Sequence, residues 1–233
     1  MSASQTAAPP LHFDLRTDTV RALNSRLHDP DGAGRVQVSN PDGRHAIAVG
    51  IDAPYEVEID GHVGYYCAGM NKQATVRVHG NCGVGVAENM MSGRVIVEGS
   101  ASQAAGATAR GGLLVVGGDA SARCGISLKG ANIVVRGSVG HMSAFMAQRG
   151  CLVVCGDAGE ALGDSLYEAR LYVRGEVASL GADCIAKEMR DEHLEQLRAL
   201  LEAAEVDADP ADFRRYGSAR QLYNFKIDNV GVY

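Results

Sequence analysis

Leu114-Val115-Val116-Gly117-Gly118-Asp119-Ala120-Ser121-Ala122-Arg123-Cys124-Gly125 repeats the pattern found 19 residues earlier in Val95-Ile96-Val97-Glu98-Gly99-Ser100-Ala101-Ser102-Gln103-Ala104-Ala105-Gly106. The register holds along most of the chain. Gly61, Gly80, Gly99, Gly118, Gly137, Gly156 and Gly175 fall at one fixed interval of 19 residues. Three residues after each stands a small residue: Gly64, Gly83, Ser102, Ser121, Gly140, Gly159 and Ala178. Seven residues after each stands only Ala or Gly: Ala68, Ala87, Gly106, Gly125, Ala144, Gly163 and Ala182. A fixed period near 20 residues marks a solenoid, in which each unit stacks only on its neighbours.

The residues before each glycine say what the unit is. Two upstream are Ile59, Val78, Val97, Val116, Val135, Val154 and Val173; four upstream are Val57, Val76, Val95, Leu114, Ile133, Leu152 and Leu171. Alternate residues of a strand share a face, so these columns point the same way. β-Branched residues dominate them, which favours strand over helix. Nineteen residues hold one coil of a parallel β-helix more comfortably than a strand, a helix and two turns. The prediction is an all-β solenoid of about seven 19-residue coils, with short α-helices at both ends. Seven rungs at the interstrand spacing of ~4.8 Å give a rod roughly 30 Å long. The glycine column predicts a turn that a Cβ would obstruct. The Ala/Gly column predicts a close approach of the walls.

Between the two inward columns, an outward one reads Glu58, Arg77, Ile96, Val115, Val134, Val153 and Tyr172. Its first two members are charged and the rest form an apolar stripe. Such a stripe requires a cover. Two covers are consistent with the sequence: the chain's own C-terminal helix, or a partner subunit docking on Ile96, Val115, Val134, Val153 and Tyr172.

Three regions follow: an N-terminal extension over 1–54, the solenoid over 55–186, and a C-terminal helix with a docking tail over 187–233. Residues 1–12 read as disordered. Thr17 or Asp18 is placed to cap a short helix with Val20, Leu23 and Leu27 on its apolar face. Val36 and Val38, then Ile47, Val49 and Ile51, alternate as strands that start or plug the first coil. An amphipathic helix is predicted over Ile185–Ala204, with Ile185, Met189, Leu194, Leu197, Leu201 and Ala204 on one face. A short helix follows near Ala211–Arg215, and the apolar tail from Gln221 to Tyr233 is expected to dock.

The net charge is −6 with both signs scattered. No basic patch points to nucleic acid, and no Lys/Arg cluster or apolar run of spanning length points to a membrane. Met1 to Pro10 is polar and lacks the apolar core of a secretory signal. The six cysteines, at 67, 82, 124, 151, 155 and 184, include no CxxC pair. They read as reduced thiols of a cytoplasmic protein.

Four groupings could carry chemistry. Asp119, Asp157 and Glu176 share the column just after the glycine, which suggests paired acid–base carboxylates, but a polar turn column predicts the same residues. Cys151 with Cys155, and His79 with Cys82, lack a fourth ligand for zinc. His141 stands alone in a turn. Val115-Val116-Gly117-Gly118-Asp119 lacks the helix and lysine of a phosphate loop. No catalytic, cofactor-binding or metal-ligating residue is therefore assigned. A glycan-acting enzyme, the remaining catalytic option, requires a wall groove rich in carboxylates, Arg or aromatics. A hexapeptide-type acyltransferase requires a six-residue sub-period, which is absent.

The sevenfold pattern Gly-x-x-small-x-x-x-Gly/Ala resembles the GXGXG domain at the C-terminal end of the glutamate synthase large subunit. The likeness is carried by Gly80-Asn81-Cys82-Gly83 through Ala87, by Gly156-Asp157-Ala158-Gly159 through Gly163, and by their counterparts. It covers roughly Tyr55 to Ala204. The resemblance implies a right-handed β-helix that acts as a scaffold beside an amidotransferase domain and an FMN-binding barrel. The chain begins Met1-Ser2, without the amidotransferase's N-terminal Cys, and has no barrel-length segment. Its layout is similar to the stand-alone middle subunit of N-methylglutamate synthase (methylamine–glutamate N-methyltransferase), whose relatives include GlxC-type proteins. The Asp14–Leu27 and Tyr216–Arg220 segments share that likeness. The resemblance implies a hetero-oligomer with an amidotransferase-like subunit and an FMN-binding subunit. FMN and an iron–sulfur cluster would lie in a partner and none in this chain. The same domain resembles a subunit of formylmethanofuran dehydrogenase, the alternative assembly.

Overall fold

The computed structural model describes residues 9–31 and 33–222. Its elements are β1 (Leu11–Asp14), α1 (Val20–Leu27), β2 (Gly34–Ser39), β3 (Tyr55–Asp60), β4 (Thr75–Val78), β5 (Arg94–Val97), β6 (Leu113–Val116), β7 (Lys129–Val135), β8 (Arg149–Val154), β9 (Arg170–Val173), β10 (Cys184–Lys187), α2 (Asp191–Ala203) and β11 (Arg214–Ser218). β1 to β9 form one ladder in chain order, each parallel to the next. The protein is a parallel β-solenoid, as its period requires. From Val57↔Val76 to Leu152↔Leu171 the residues paired across successive rungs are those 19 apart, except Lys129↔Arg149, where the register shifts by one.

The two inward columns are buried throughout, at 0–1% exposure. A second wall is one bridge wide and runs Val63, Cys82, Ala101, Ala120, Val139, Ala158, Val177. The third wall is a succession of turns with left-handed residues at alternate positions. Ala68, Ala87 and Ala144 have φ of +53° to +59° there, and Gly106, Gly125 and Gly163 +66° to +68°. The Ala/Gly column thus has two causes. Left-handed backbone excludes branched side chains, and the facing wall lies close: a Cβ on Gly106 would sit 2.5 Å from Ile133 Cδ1.

The glycine column has a different cause. Only Gly61 among the seven has a φ in the left-handed range, at +135°. The others are glycine because coils touch there. A Cβ on Gly80 would lie 2.6 Å from the carbonyl carbon of Gly61, and one on Gly156 would lie 2.7 Å from that of Gly137. The close approach lets each glycine N–H reach the glycine carbonyl below, from Gly99→Gly80 at 3.1 Å to Gly175→Gly156 at 3.0 Å.

The structure departs from the sequence reading at several places. Ile47, Val49 and Ile51 form no strand. They belong to the turn wall of a further coil spanning residues 34–54, whose left-handed Ala46, Ala48 and Gly50 lie against the wall containing Tyr66, Ala68 and Met70. Its strand pairs Val36 with Val57, 21 residues apart, and Asp42 stands where the period would place a glycine. At the other end, Leu162 bridges Leu180, which sets Gly181 and not Ala182 opposite Gly163. The last coil is one residue short on this wall.

α1 closes the N-terminal end, with Leu23 and Leu27 at 0% exposure. Its cap is Thr19, whose Oγ1 accepts the Ala22 N–H at 3.1 Å. Asn24 Nδ2 donates to Ala46 O at 2.8 Å, tying helix to coil. The C-terminal helix begins at Asp191. Cys184–Lys187 is drawn instead into β10, which pairs antiparallel with β11, and β11 pairs antiparallel with β9. The reversal ends the parallel ladder. The region near Ala211–Arg215 is a single 3-10 turn, Pro210–Asp212, leading into β11. The expectations for residues 1–8 and for the tail from residue 223 onward lie outside the described residues. Leu11 and His12, read as disordered, belong to β1.

Candidate functional site

The walls of the rod carry every residue the sequence singled out. In the column after the glycines, every side chain before Glu176 accepts a main-chain N–H from the next coil. His62 Nδ1 accepts from Asn81 N at 2.9 Å, Asn81 Oδ1 from Ser100 N at 2.8 Å, and Ser100 Oγ from Asp119 N at 3.2 Å. Asp119 Oδ1 accepts from Ser138 N at 2.8 Å, Ser138 Oγ from Asp157 N at 3.0 Å, and Asp157 Oδ1 from Glu176 N at 2.8 Å. The column is a ladder of acceptors that satisfies turn N–H groups. Asp119 and Asp157 each commit one carboxylate oxygen to it. Asp, Asn and Ser are interchangeable here because each offers an oxygen at the same reach.

The outward stripe is covered within the chain. Ile96, Val115, Val134, Val153 and Tyr172 are each at most 7% exposed and form one cluster with Leu197, Leu201, Ala204 and Phe213. Polar clamps hold α2 at its C-terminus and near its middle. Arg94 Nη2 donates to Ala203 O at 2.6 Å, and Arg136 Nη2 to Ala204 O at 2.8 Å, satisfying carbonyls at the helix C-terminus. Gln196 Oε1 accepts from Arg170 Nη1 at 2.8 Å and from the Tyr172 hydroxyl at 2.9 Å. Burial pushes the Tyr172 hydroxyl up to about 12. Arg94, Arg136 and Gln196 were invisible to sequence reading, since nothing in a local pattern shows which helix end meets which rung.

Beyond the reach of α2, the outer face of the first rungs is an ion network. His79 Nε2 lies 2.5 Å from Glu58 Oε2 and its Nδ1 lies 3.0 Å from Glu98 Oε2. Arg77 bridges the same two glutamates at 3.8 and 3.5 Å. Burial pulls the His79 pKa down, but the bonds to Glu98 and Glu58 outweigh it and raise it. Nearby turn walls expose Tyr65 at 54%, Val84 at 47%, Met70 at 44% and Met91 at 41%. His45 stacks on Tyr65 with ring centroids 4.1 Å apart.

No family model matches the chain. It is 63% identical over 225 residues to Protein GlxC of Rhizobium meliloti (strain 1021), covering 95% of this chain and 99% of that protein. The chain belongs to the GlxC family.

In this GlxC-family chain all six cysteines are buried and free. Burial pushes the thiols of Cys124 and Cys184 up to about 12 and that of Cys151 to about 11. Contact with Cys67, and then burial, raises Cys82. All six thiols are packed inside the protein. Cys151 and Cys155 lie under α2 in the stripe cluster. His141 is exposed. Among the described residues no three His, Cys, Asp or Glu side chains converge as metal ligands, and no helix is long and apolar enough to cross a membrane.

Proposed function

We propose that this chain is the structural, non-catalytic subunit of a glutamate-synthase-like complex, N-methylglutamate synthase being the specific assembly. It holds an amidotransferase-like subunit and an FMN-binding subunit in register, with FMN and an iron–sulfur cluster carried by a partner. The observation behind this reading is the acceptor ladder. One oxygen of each of Asp119 and Asp157, the carboxylates the sequence offered for acid–base work, holds a main-chain N–H of the next coil, and the two residues stand two coils apart instead of side by side. Membership of the GlxC family and the sevenfold glycine column, which resembles the glutamate synthase β-helix domain, support the same reading. So does the mechanics of the rod. Interlocked coils with a helix clamped along one side resist bending, which suits a spacer between two active sites.

The test is purification of the natively expressed, tagged chain. The expected result is co-elution of two partners, one with flavin absorbance, and methylamine-dependent N-methylglutamate formation by the assembly. Recovery as a lone monomer would overturn the reading. Asp119→Asn keeps the ladder oxygen and is expected to leave the assembly's activity within about twofold. Asp119→Ala removes it and is expected to cost about 1 kcal/mol of stability without changing the turnover of the intact complex. Loss of turnover by several orders of magnitude in the Asn variant would make Asp119 catalytic.

A further inference from the structure

At the C-terminal end of the rod, segments distant in sequence meet around a cleft of about 680 Å³. β9 contributes Arg170, the first turn of α2 contributes His193 with Arg190 before it, and the β10–β11 pair contributes Lys187 and Arg215. Arg220 also lines the cleft, and the carboxylates facing it are Glu168 and Glu192. A second hollow of about 470 Å³ shares Arg170 and Glu168 and adds Arg149. Six cationic side chains thus face two carboxylates, in a chain whose net charge is −6.

The pairing is as uneven as the count. Arg190 lies 3.0 Å from Glu188, and Arg220 lies 3.6 Å from Glu168. No carboxylate lies within 4.0 Å of Arg149, Arg170, Lys187 or Arg215 among the described residues. Arg215 donates Nε to Glu188 O at 2.9 Å, and Arg170 donates Nη1 to Gln196 Oε1 at 2.8 Å, so neutral oxygens hold both guanidinium groups in place. Burial, and then the fields of Arg170 and Arg190, hold Arg215 below the usual arginine value.

His193 adds a directional donor. It is 4% exposed, and its Nδ1 accepts the Arg190 N–H at 3.2 Å. That bond assigns the proton of the neutral ring to Nε2. The nearest carboxylate to Nε2 is Glu192, at 3.5 Å, too long for a strong hydrogen bond. The positive end of the α2 dipole lies at the same place.

We propose that this cleft binds a small oxyanion, a carboxylate or phosphate compound, gripped by Arg170 and Arg215 and met by the Nε2–H of His193. Planar guanidinium forks match such oxygens in pairs. A concave site with a buried donor suits a compact ligand more than a flat protein surface. The inference stands apart from the scaffold reading, because the purified chain alone tests it.

Inorganic phosphate and citrate are titrated into the full chain by calorimetry, with chloride holding the ionic strength constant. The expected result is saturable one-site binding of at least one of the two, and which one binds identifies the ligand class. Arg215→Gln and Arg170→Gln are each expected to weaken it by about tenfold or more. Arg214→Gln, which removes a rim cation paired with Glu176 outside the cleft, is expected to leave it unchanged. Arg190→Gln, altering a side chain 64% exposed, is expected to weaken binding by severalfold and carries the test if a variant of the half-buried Arg170 or Arg215 misfolds. Absence of saturable binding overturns the proposal. So does equal affinity in the cleft variants, or an equal loss in Arg214→Gln, which would mark a diffuse charge effect.

Discussion

Gly106 and Ile133 show at the scale of single residues how the columns constrain one another. The inward column enlarges from Val95 to Leu114 and Ile133, while the facing column shrinks from Ala87 to Gly106 and Gly125. Large against small keeps the core filled at constant width. A Cβ on Gly106 would press Ile133 Cδ1 at 2.5 Å and Leu114 Cδ2 at 3.2 Å. Gly106→Ala is therefore expected to cost about 1–3 kcal/mol by overpacking, since Ala already tolerates the same backbone at Ala68, Ala87 and Ala144. Ile133→Val, which removes Cδ1, is expected to cost about 1 kcal/mol alone. The double variant is expected to recover at least about 1 kcal/mol relative to the sum. Urea melts of the four proteins measure the coupling, and strict additivity would refute the contact. The glycine and Ala/Gly columns were both visible in the sequence. The close approach of the walls behind the Ala/Gly column was legible too; its left-handed backbone, and the coil-to-coil contact behind the glycine column, were not, because all of these select the same small residues.

Among the elements, α2 and the rungs beyond its reach divide the outer face between them. The apolar part of the outward column begins at Ile96, where Arg94 meets the helix C-terminus. Leu201, 2% exposed against the stripe, is the pivot of that packing. Leu201→Asp would put a charge into an apolar seam and is expected to remove roughly 3 kcal/mol or more of helix docking. Hydrogen exchange is expected to speed up across Asp191–Ala203, with dye binding to the bared stripe, while the strand amides stay protected. Unchanged protection of α2 would contradict the clamp. On the charged rungs, His79 predicts a pH dependence. Its folded pKa is raised above the ordinary 6.5 by the two glutamates. Protonated His79 therefore stabilises the fold in full below that ordinary value, and the contribution is lost as pH rises through the raised one. The side chain is 35% exposed, so solvent screening keeps the effect under about 1 kcal/mol. The melting difference between wild type and His79→Gln is expected to narrow from about pH 5.5 to about pH 8.5; a widening would reverse the sign. The amphipathic pattern showed α2 but overran its start, because Ile185 reads as the helix face until β11 offers Cys184–Lys187 a strand partner.

For the whole molecule, the decisive feature is how the rod ends. A stack of parallel rungs leaves an unpaired edge at each end, which invites association with other chains. Here α1 plugs one end, and β11 turns the sheet antiparallel at the other. The sequence alone determined the repeat: strand columns, the glycine column and the 19-residue step follow from stacking, which forces like residues into like places and so writes itself into the chain as periodicity. The coil at 34–54 escaped that reading because Asn40-Pro41-Asp42 replaces the glycine turn. Only the tertiary structure decided what covers the stripe, how the ends close, and that Arg170, His193 and Arg215 share one cleft. Those contacts join segments outside the repeat, where no translation relates one residue to another. Their meeting is set by packing in space and leaves no period in the sequence.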